Sequence, residues 1–213
     1  MNTVVSLVNE WDKFEQQHAN GDIADFCRYF LAQNARREGL AGGQLPPSDG
    51  ALLMKIMGKM INEYRVYFVA AMAELDLPFP ETFYFLNELR FLIAAKKTEL
   101  INSLLVEYTT GMDAINKLIK EGYIESRQHD TDKRATLITL TEKGRSTLGD
   151  CYKKMAMVTD MVFKTMHPEA VKLCISLLGE VEMHQAQVVQ EVRNKPFMEM
   201  YEHVMKRSQL SEK

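Results

Sequence analysis

The stretch from Thr98 to Arg145, TELINSLLVEYTTGMDAINKLIKEGYIESRQHDTDKRATLITLTEKGR, leaves the chain few ways to fold. Leu100, Ile101, Leu104 and Leu105 recur at helical spacing, and so do Ala114, Ile115, Leu118 and Ile119. Between them lies a short polar connection, Val106 to Thr110, whose threonines suit a helix N-cap. Gly122 stops the second helix where a left-handed residue is wanted. Tyr123 to Arg127 then reads as a strand, Gln128 to Arg134 as a polar loop and Ala135 to Thr141 as a β-rich strand. Glu142-Lys143-Gly144 opens the next helix.

Helix, turn, helix and a hairpin with a basic tip make a winged helix-turn-helix, with the hairpin as the wing. The same segment resembles the MarR family of bacterial repressors, the multiple-antibiotic-resistance type. The family's wing signature is Asp-x-Arg, five residues, then Leu-Thr, and the chain has Asp132, Arg134, Leu140 and Thr141 at that spacing. Leu118 to Glu125 (LIKEGYIE) matches the family's phrase of leucine-rich helix, glycine, apolar pair and glutamate. The likeness runs from about Pro80 to Leu148, loosens over the flanking helices and ends before about Gly50.

Charge does not demand a nucleic acid. The net charge is −3, and residues 80 to 145 hold ten Lys/Arg against ten Asp/Glu. Three cysteines without a CxxC motif speak against a disulfide framework or zinc ribbon. The five scattered histidines form no metal-ligand spacing. The start, MNTVVSLVNEWDKFEQQ, lacks a signal peptide's charged n-region, and no apolar run approaches about 18 residues. These features describe a reduced, cytoplasmic protein with no membrane partner. With no phosphate-binding glycine loop and no nucleophile elbow, nothing argues for an enzyme or a cofactor.

Along the chain, Val4, Leu7, Val8, Trp11 and Phe14 share one helical face. Ile23, Phe26, Cys27, Phe30 and Leu31 share a second, capped by Asp22. Residues 1–38 thus form a helical hairpin that the resemblance does not cover. Residues 39–50 (GLAGGQLPPSDG from Gly39) form a linker. A long helix from Leu52 to Leu75 is apolar around most of its circumference. After Leu77-Pro78-Phe79-Pro80, a helix over Glu81 to Ala95 turns Phe83, Leu86, Leu89 and Ile93 inward. Beyond the wing, Thr141 caps a helix to about Met166, Pro168 opens another to about Arg193, and a last helix carries Phe197, Met200, Tyr201 and Val204. The expected fold is mainly α with a small β-hairpin wing. Residues 80–145 are the winged helix-turn-helix, inserted in a helical dimerisation domain made of 51–79 and 146–213.

The second helix of the motif would present Thr109, Asp113, Asn116 and Lys120, flanked by Thr110, Met112 and Lys117. Asparagine reads adenine and threonine touches thymine methyls in the major groove. Asp113 reads more readily as the partner of Thr110 in a capping box than as a base contact, which would start the helix a few residues late. The wing adds Arg127, Asp132, Lys133 and Arg134. The resemblance implies that Arg134 enters the minor groove and that Asp132 fixes the wing's shape. It also implies a homodimer on double-stranded DNA, acting as a repressor and relieved by a small aromatic effector. Tyr64, Tyr67, Phe68, Phe83 and Tyr84, with Arg65 or Arg90, would line that effector's pocket, although such a stripe is more often plain core. Cys27 lies on an apolar stripe and reads as a buried thiol, and Cys151 and Cys174 read as core. The neutral charge of 80–145, with Asp113 and Glu107 in the motif, leaves open a winged-helix protein-interaction module without DNA binding.

Overall fold

The computed structural model describes residues 3–34, 48–128 and 136–211. They fall into two compact units, divided between Ile61 and Asn62. In the first, α1 (Thr3–Gln17) and α2 (Ile23–Gln33) form a hairpin. Asp22 starts α2 through a reciprocal box. Its carboxylate accepts from the Asp25 amide at 2.8 Å, and its own amide donates to the Asp25 carboxylate at 3.1 Å. The hairpin's core is aromatic: Phe14 and Phe26 are buried, their ring centroids 5.6 Å apart, with Trp11 5.0 Å from Phe26. Only part of the expected apolar faces is covered. Val4, Leu7, Val8, Ile23 and Leu31 are exposed, because two short helices can shield only a part of each other's surface. Cys27 is exposed too, so the expectation of a buried thiol fails. The helix α3 (Asp49–Ala73) begins earlier than Leu52, because the Ser48 hydroxyl accepts from the Ala51 amide at 3.2 Å.

The second unit holds the last turns of α3, then α4 (Thr82–Leu92), α5 (Lys97–Ser103), α6 (Tyr108–Lys120), β1 (Ile124–Gln128), β2 (Thr136–Leu140), α7 (Glu142–Phe163), α8 (Pro168–Val192) and α9 (Phe197–Ser211). Its core runs from Phe68 and Met72 through Leu86, Leu89, Ile115 and Leu118 to Ile138, Leu148 and Val158. The strands pair antiparallel, with Ile124 opposite Leu140 and Gln128 opposite Thr136. A third segment joins them. Ala95 exchanges backbone hydrogen bonds with Ile138, at 3.2 Å from its amide and 2.8 Å to its carbonyl.

That pairing explains why α4 ends early. Ile93 was expected to face inward, but it is 80% exposed at a φ of 63°. The chain must leave the helix there for Ala95 to reach the sheet. A β-branched residue at positive φ is strained, so the pairing dictates the turn. Gly122, at a φ of 77°, ends α6 as its position required, and the Tyr123 amide closes on the Leu118 carbonyl at 2.9 Å.

The base of the wing is clamped onto α7. The Thr141 hydroxyl donates to the Gly122 carbonyl at 2.7 Å and accepts from the Gly144 amide at 3.0 Å. Gly144 is packed so closely on the Tyr123 carbonyl that a Cβ would overlap it. Further on, Cys151 is buried, which pushes its thiol up to about 11. Cys174 is exposed rather than core. The His167 Nδ1 accepts from the Glu169 amide at 3.3 Å, and Pro168 takes the first position of α8. At the other end of α8, Gln190 donates to the Asn102 carbonyl at 3.1 Å, while Arg193 donates to the Val106 carbonyl and to Asn102 Oδ1 at 3.4 Å. Ile175, Val181 and Met183 on α8 and Phe197 and Met198 on α9 are exposed in the single chain. No described helix is long and apolar enough to cross a membrane.

Candidate nucleic-acid interface

The helix-turn-helix is built on close approach. A Cβ on Gly111 would run into the Ile101 side chain at 2.6 Å, so glycine lets α6 settle on α5. Between the helices the turn passes through Leu105 at a φ of 54°. The cap of α6 differs from the expected one. The helix starts at Tyr108, and the carboxylate of Glu107 accepts from the Thr110 amide at 2.9 Å. Thr110 is therefore already helical, and Asp113 lies in the exposed second turn with no capping role. The longer glutamate side chain reaches the amide that serine would serve more directly.

Amide donors from Thr110 and then Thr109 hold the Glu107 carboxyl below its ordinary 4.5. A depressed carboxylate stabilises the fold above its unfolded value and loses that contribution as pH falls through the lower folded value. In a carboxyl-carbon NMR titration, Glu107 should therefore titrate below 4.5, and the Thr110 amide should shift with it. Glu107→Gln should remove that coupled shift. An ordinary midpoint for Glu107 would show that the cap is not formed in solution.

Of the expected contact residues, Thr109, Thr110, Asp113, Asn116, Lys117 and Lys120 are exposed on α6, and Met112 is half-buried. Lys117 is held back on the domain. Its Nζ donates to the Pro78 carbonyl at 3.0 Å and lies 5.7 Å over the Phe79 ring. Asn116 has a neighbour that sequence reasoning missed: Lys97, at the start of α5, donates to Asn116 Oδ1 at 2.7 Å. That bond occupies Asn116 Oδ1 as an acceptor, leaves its Nδ2 as the donor, and adds a cation to the α6 surface. The signal was available, since Lys97 opens the first helix of the motif, but its nearness to Asn116 depends on how the helices cross. Arg127 is exposed on β1. Asp132, Lys133 and Arg134 lie outside the described residues.

The aromatic residues expected to line an effector pocket are brought together, but they fill the space between them. Phe68 is buried, stacked on Tyr84 at 4.8 Å and on Tyr64 at 5.9 Å, with Phe83 at 6.3 Å. The Tyr64 and Tyr84 hydroxyls are 3.1 Å apart, and burial, then the Tyr64 hydroxyl, pushes Tyr84 above its ordinary value. Arg65 approaches Glu81 at only 4.0 Å, and Tyr67 is exposed. Tyr84 borders a groove of about 640 Å³ walled by Phe79, Phe85, Val106 and Lys117. Among the described residues no group of His, Cys, Asp or Glu side chains is placed to hold a metal ion.

Comparison with known proteins agrees with this geometry. The model of a winged helix DNA-binding domain matches residues 86–144. The HTH-type transcriptional regulator BilQ of Clostridium symbiosum is 34% identical over 68 residues, which are 32% of this chain and 47% of that protein. The chain thus matches about half the length of this curated relative. Wild-type MarR from E. coli in its apo form superposes with a TM-score of 0.56 at 19% identity, over 65% of this chain and 98% of that one. A mutant E. coli MarR complexed with operator DNA gives 0.54 at 20% identity, over 61% and 92%. BpsR of Bordetella bronchiseptica, whose DNA binding is regulated by 6-hydroxynicotinic acid, gives 0.56 at 17% identity, over 65% and 98%. The chain thus matches a winged helix DNA-binding domain over residues 86–144 and shares the fold of E. coli MarR over 65% of its length.

Proposed function

We propose that the protein is a cytoplasmic homodimer that binds specific double-stranded DNA and represses transcription, with a small aromatic effector relieving the repression. The observation that carries this reading is the exposed polar face of α6, with Thr109, Thr110 and Asn116, the last of which is bonded to Lys97. In this reading the start of α6 enters the major groove, Asn116 and the threonines meet base edges, and Lys97 and Lys120 meet phosphate. Arg134 extends the contact into the neighbouring minor groove, where the potential is most negative. Residues 51–79 and 146–213 form the dimerisation domain, and the exposed apolar side chains of α8 and α9 support that assignment. The BpsR comparison supports an effector, although its pocket would have to open among the packed rings around Phe68.

The test is affinity for operator and for mixed DNA at rising salt. Binding through phosphates gives a steep negative slope. Arg134→Ala should weaken operator binding by about 1–3 kcal/mol, and Lys133→Ala should weaken all sequences alike and lower the slope by about one. Equal operator affinity of the wild type and Arg134→Ala would overturn the wing assignment. The exposed carboxylates of Asp113 and Glu107 favour a second reading, a module that binds protein and not DNA. A flat salt response with no retained DNA would establish it.

A further inference from the structure

The hairpin of α1 and α2 buries one row of each helix and leaves the next row open. Phe14 and Phe26 fill the seam, with Trp11 and Phe30 half-buried beside them. Val4 and Val8 stand one step further around α1, and Ile23, Cys27 and Leu31 one step further around α2. In an antiparallel pair those two rows lie on the same side. At the open end of the hairpin, where α1 begins and α2 finishes, Val4, Val5, Leu7, Val8 and Leu31 are between 50% and 65% exposed. This cluster lies in the segment that the family likeness leaves out. Neither DNA binding nor the dimerisation domain proposed above uses it.

The chemistry of the patch narrows what can cover it. Residues 3–9 and 29–34 contain no charged side chain, so they offer nothing to a phosphate backbone, an anionic membrane surface or a charged peptide. A second copy presents the same uncharged surface, and a two-fold contact sets that surface against itself. Asp12 and Glu15 lie toward the turn, where they would repel their own copies, so the contact is confined to the open end. The five side chains expose on the order of 500 Å² per chain, and two copies would bury about 1,000 Å², the lower limit for a specific interface. Between free chains such a contact would be weak. Between two hairpins carried by one dimer, the local concentration is on the order of millimolar, and the inference rests on the homodimer reading above to that extent.

We propose that the hairpins of two protomers pair at their open ends, a contact between copies additional to that of residues 51–79 and 146–213. Val4, Leu7, Val8 and Leu31 form its centre, and Trp11 and Phe30 join it to the aromatic core of each hairpin. Four short helices then shield together the apolar side chains that two leave open.

The test is a pulsed EPR distance measurement on the full chain carrying Cys174→Ser and a spin label at Cys27, the exposed cysteine that remains beside the buried Cys151. One label per chain makes every dipolar signal intermolecular. Cys27 lies six residues before the end of α2 at Gln33, so paired open ends bring the two labels within about 40 Å, label arms included. A narrow distribution centred below that distance is expected. Leu7→Asp and Val8→Asp should each broaden it with the helical circular dichroism unchanged, since both side chains are exposed in the single chain. Should one of them unfold the hairpin, the other decides. A broad distribution in the parent chain, or one centred further apart, overturns the pairing and leaves the homodimer standing. So does a narrow distribution that both substitutions leave intact. No dipolar signal, together with a monomer in sedimentation, overturns the homodimer reading as well.

Discussion

Gly144→Ala should cost about 3 kcal/mol in urea unfolding, the upper part of the range for an overpacked core. The cost comes from what stands in the way. The added Cβ meets the Tyr123 carbonyl, which is backbone and already accepts from the Thr141 amide at 3.1 Å. A flexible side chain could swing aside, but here either α7 or the first residues of the wing must move. The Thr141 cap, which ties both together, would be lost with that shift. Gly149→Ala, five residues along the same helix, is the matching control. Its Cβ enters open space, so it should be neutral or stabilise the protein by up to about 1 kcal/mol. Equal midpoints for the two variants would show that the contact between α7 and the wing is not as tight as the geometry states.

Phe68→Ala should be still more costly, about 3–5 kcal/mol, as expected for emptying a buried aromatic site. The residue distinguishes two views of the aromatic cluster. If the ring is core, its removal leaves a void among Tyr64, Phe83 and Tyr84, and the midpoint falls accordingly. If the cluster is instead the wall of a cavity already hydrated in solution, the loss would be under about 1 kcal/mol, because little packing would disappear. Denaturant midpoints for Phe68→Ala and Phe68→Leu together decide between the two.

Much of the winged domain was legible in the sequence because its signals are local. A positive φ calls for glycine at Gly122, and a cap before an apolar run calls for Asp22 or Thr141. Alternation over a few residues marked β1 and β2 to within a residue or so. Features that depend on a partner distant in the chain stayed hidden. Ile93 fits the helical period of α4, yet it turns out because Ala95 must pair with Ile138, more than forty residues away. Glutamate is an uncommon cap, and nothing in the spacing shows that the longer side chain of Glu107 reaches the Thr110 amide. In the candidate interface, the exposure of Thr109, Asp113 and Asn116 follows from the 3.6-residue period alone. The Lys97–Asn116 contact and the tethering of Lys117 to Pro78 follow from helix crossing, which no periodicity encodes. The exposure of Cys27 and Cys174 has a related cause. An apolar stripe predicts which side of a helix is greasy, but not whether anything in the same chain lies against it.

Hydrogen bonds from Gln190 and Arg193 to Asn102 and Val106 tie the C-terminal end of α8 to the turn before α6. The helix is 25 residues long, or about 37 Å at the usual rise per residue. Tilting a rod of that length by only a few degrees about its distant end sweeps the near end through roughly 2 Å. That near end grips the carbonyl of Val106, and the next residue, Glu107, anchors the first turn of α6. A tilt of α8 about its start would therefore move the residue that precedes the α6 cap, so the length of α8 sets how far a small rotation at one end is read at the other.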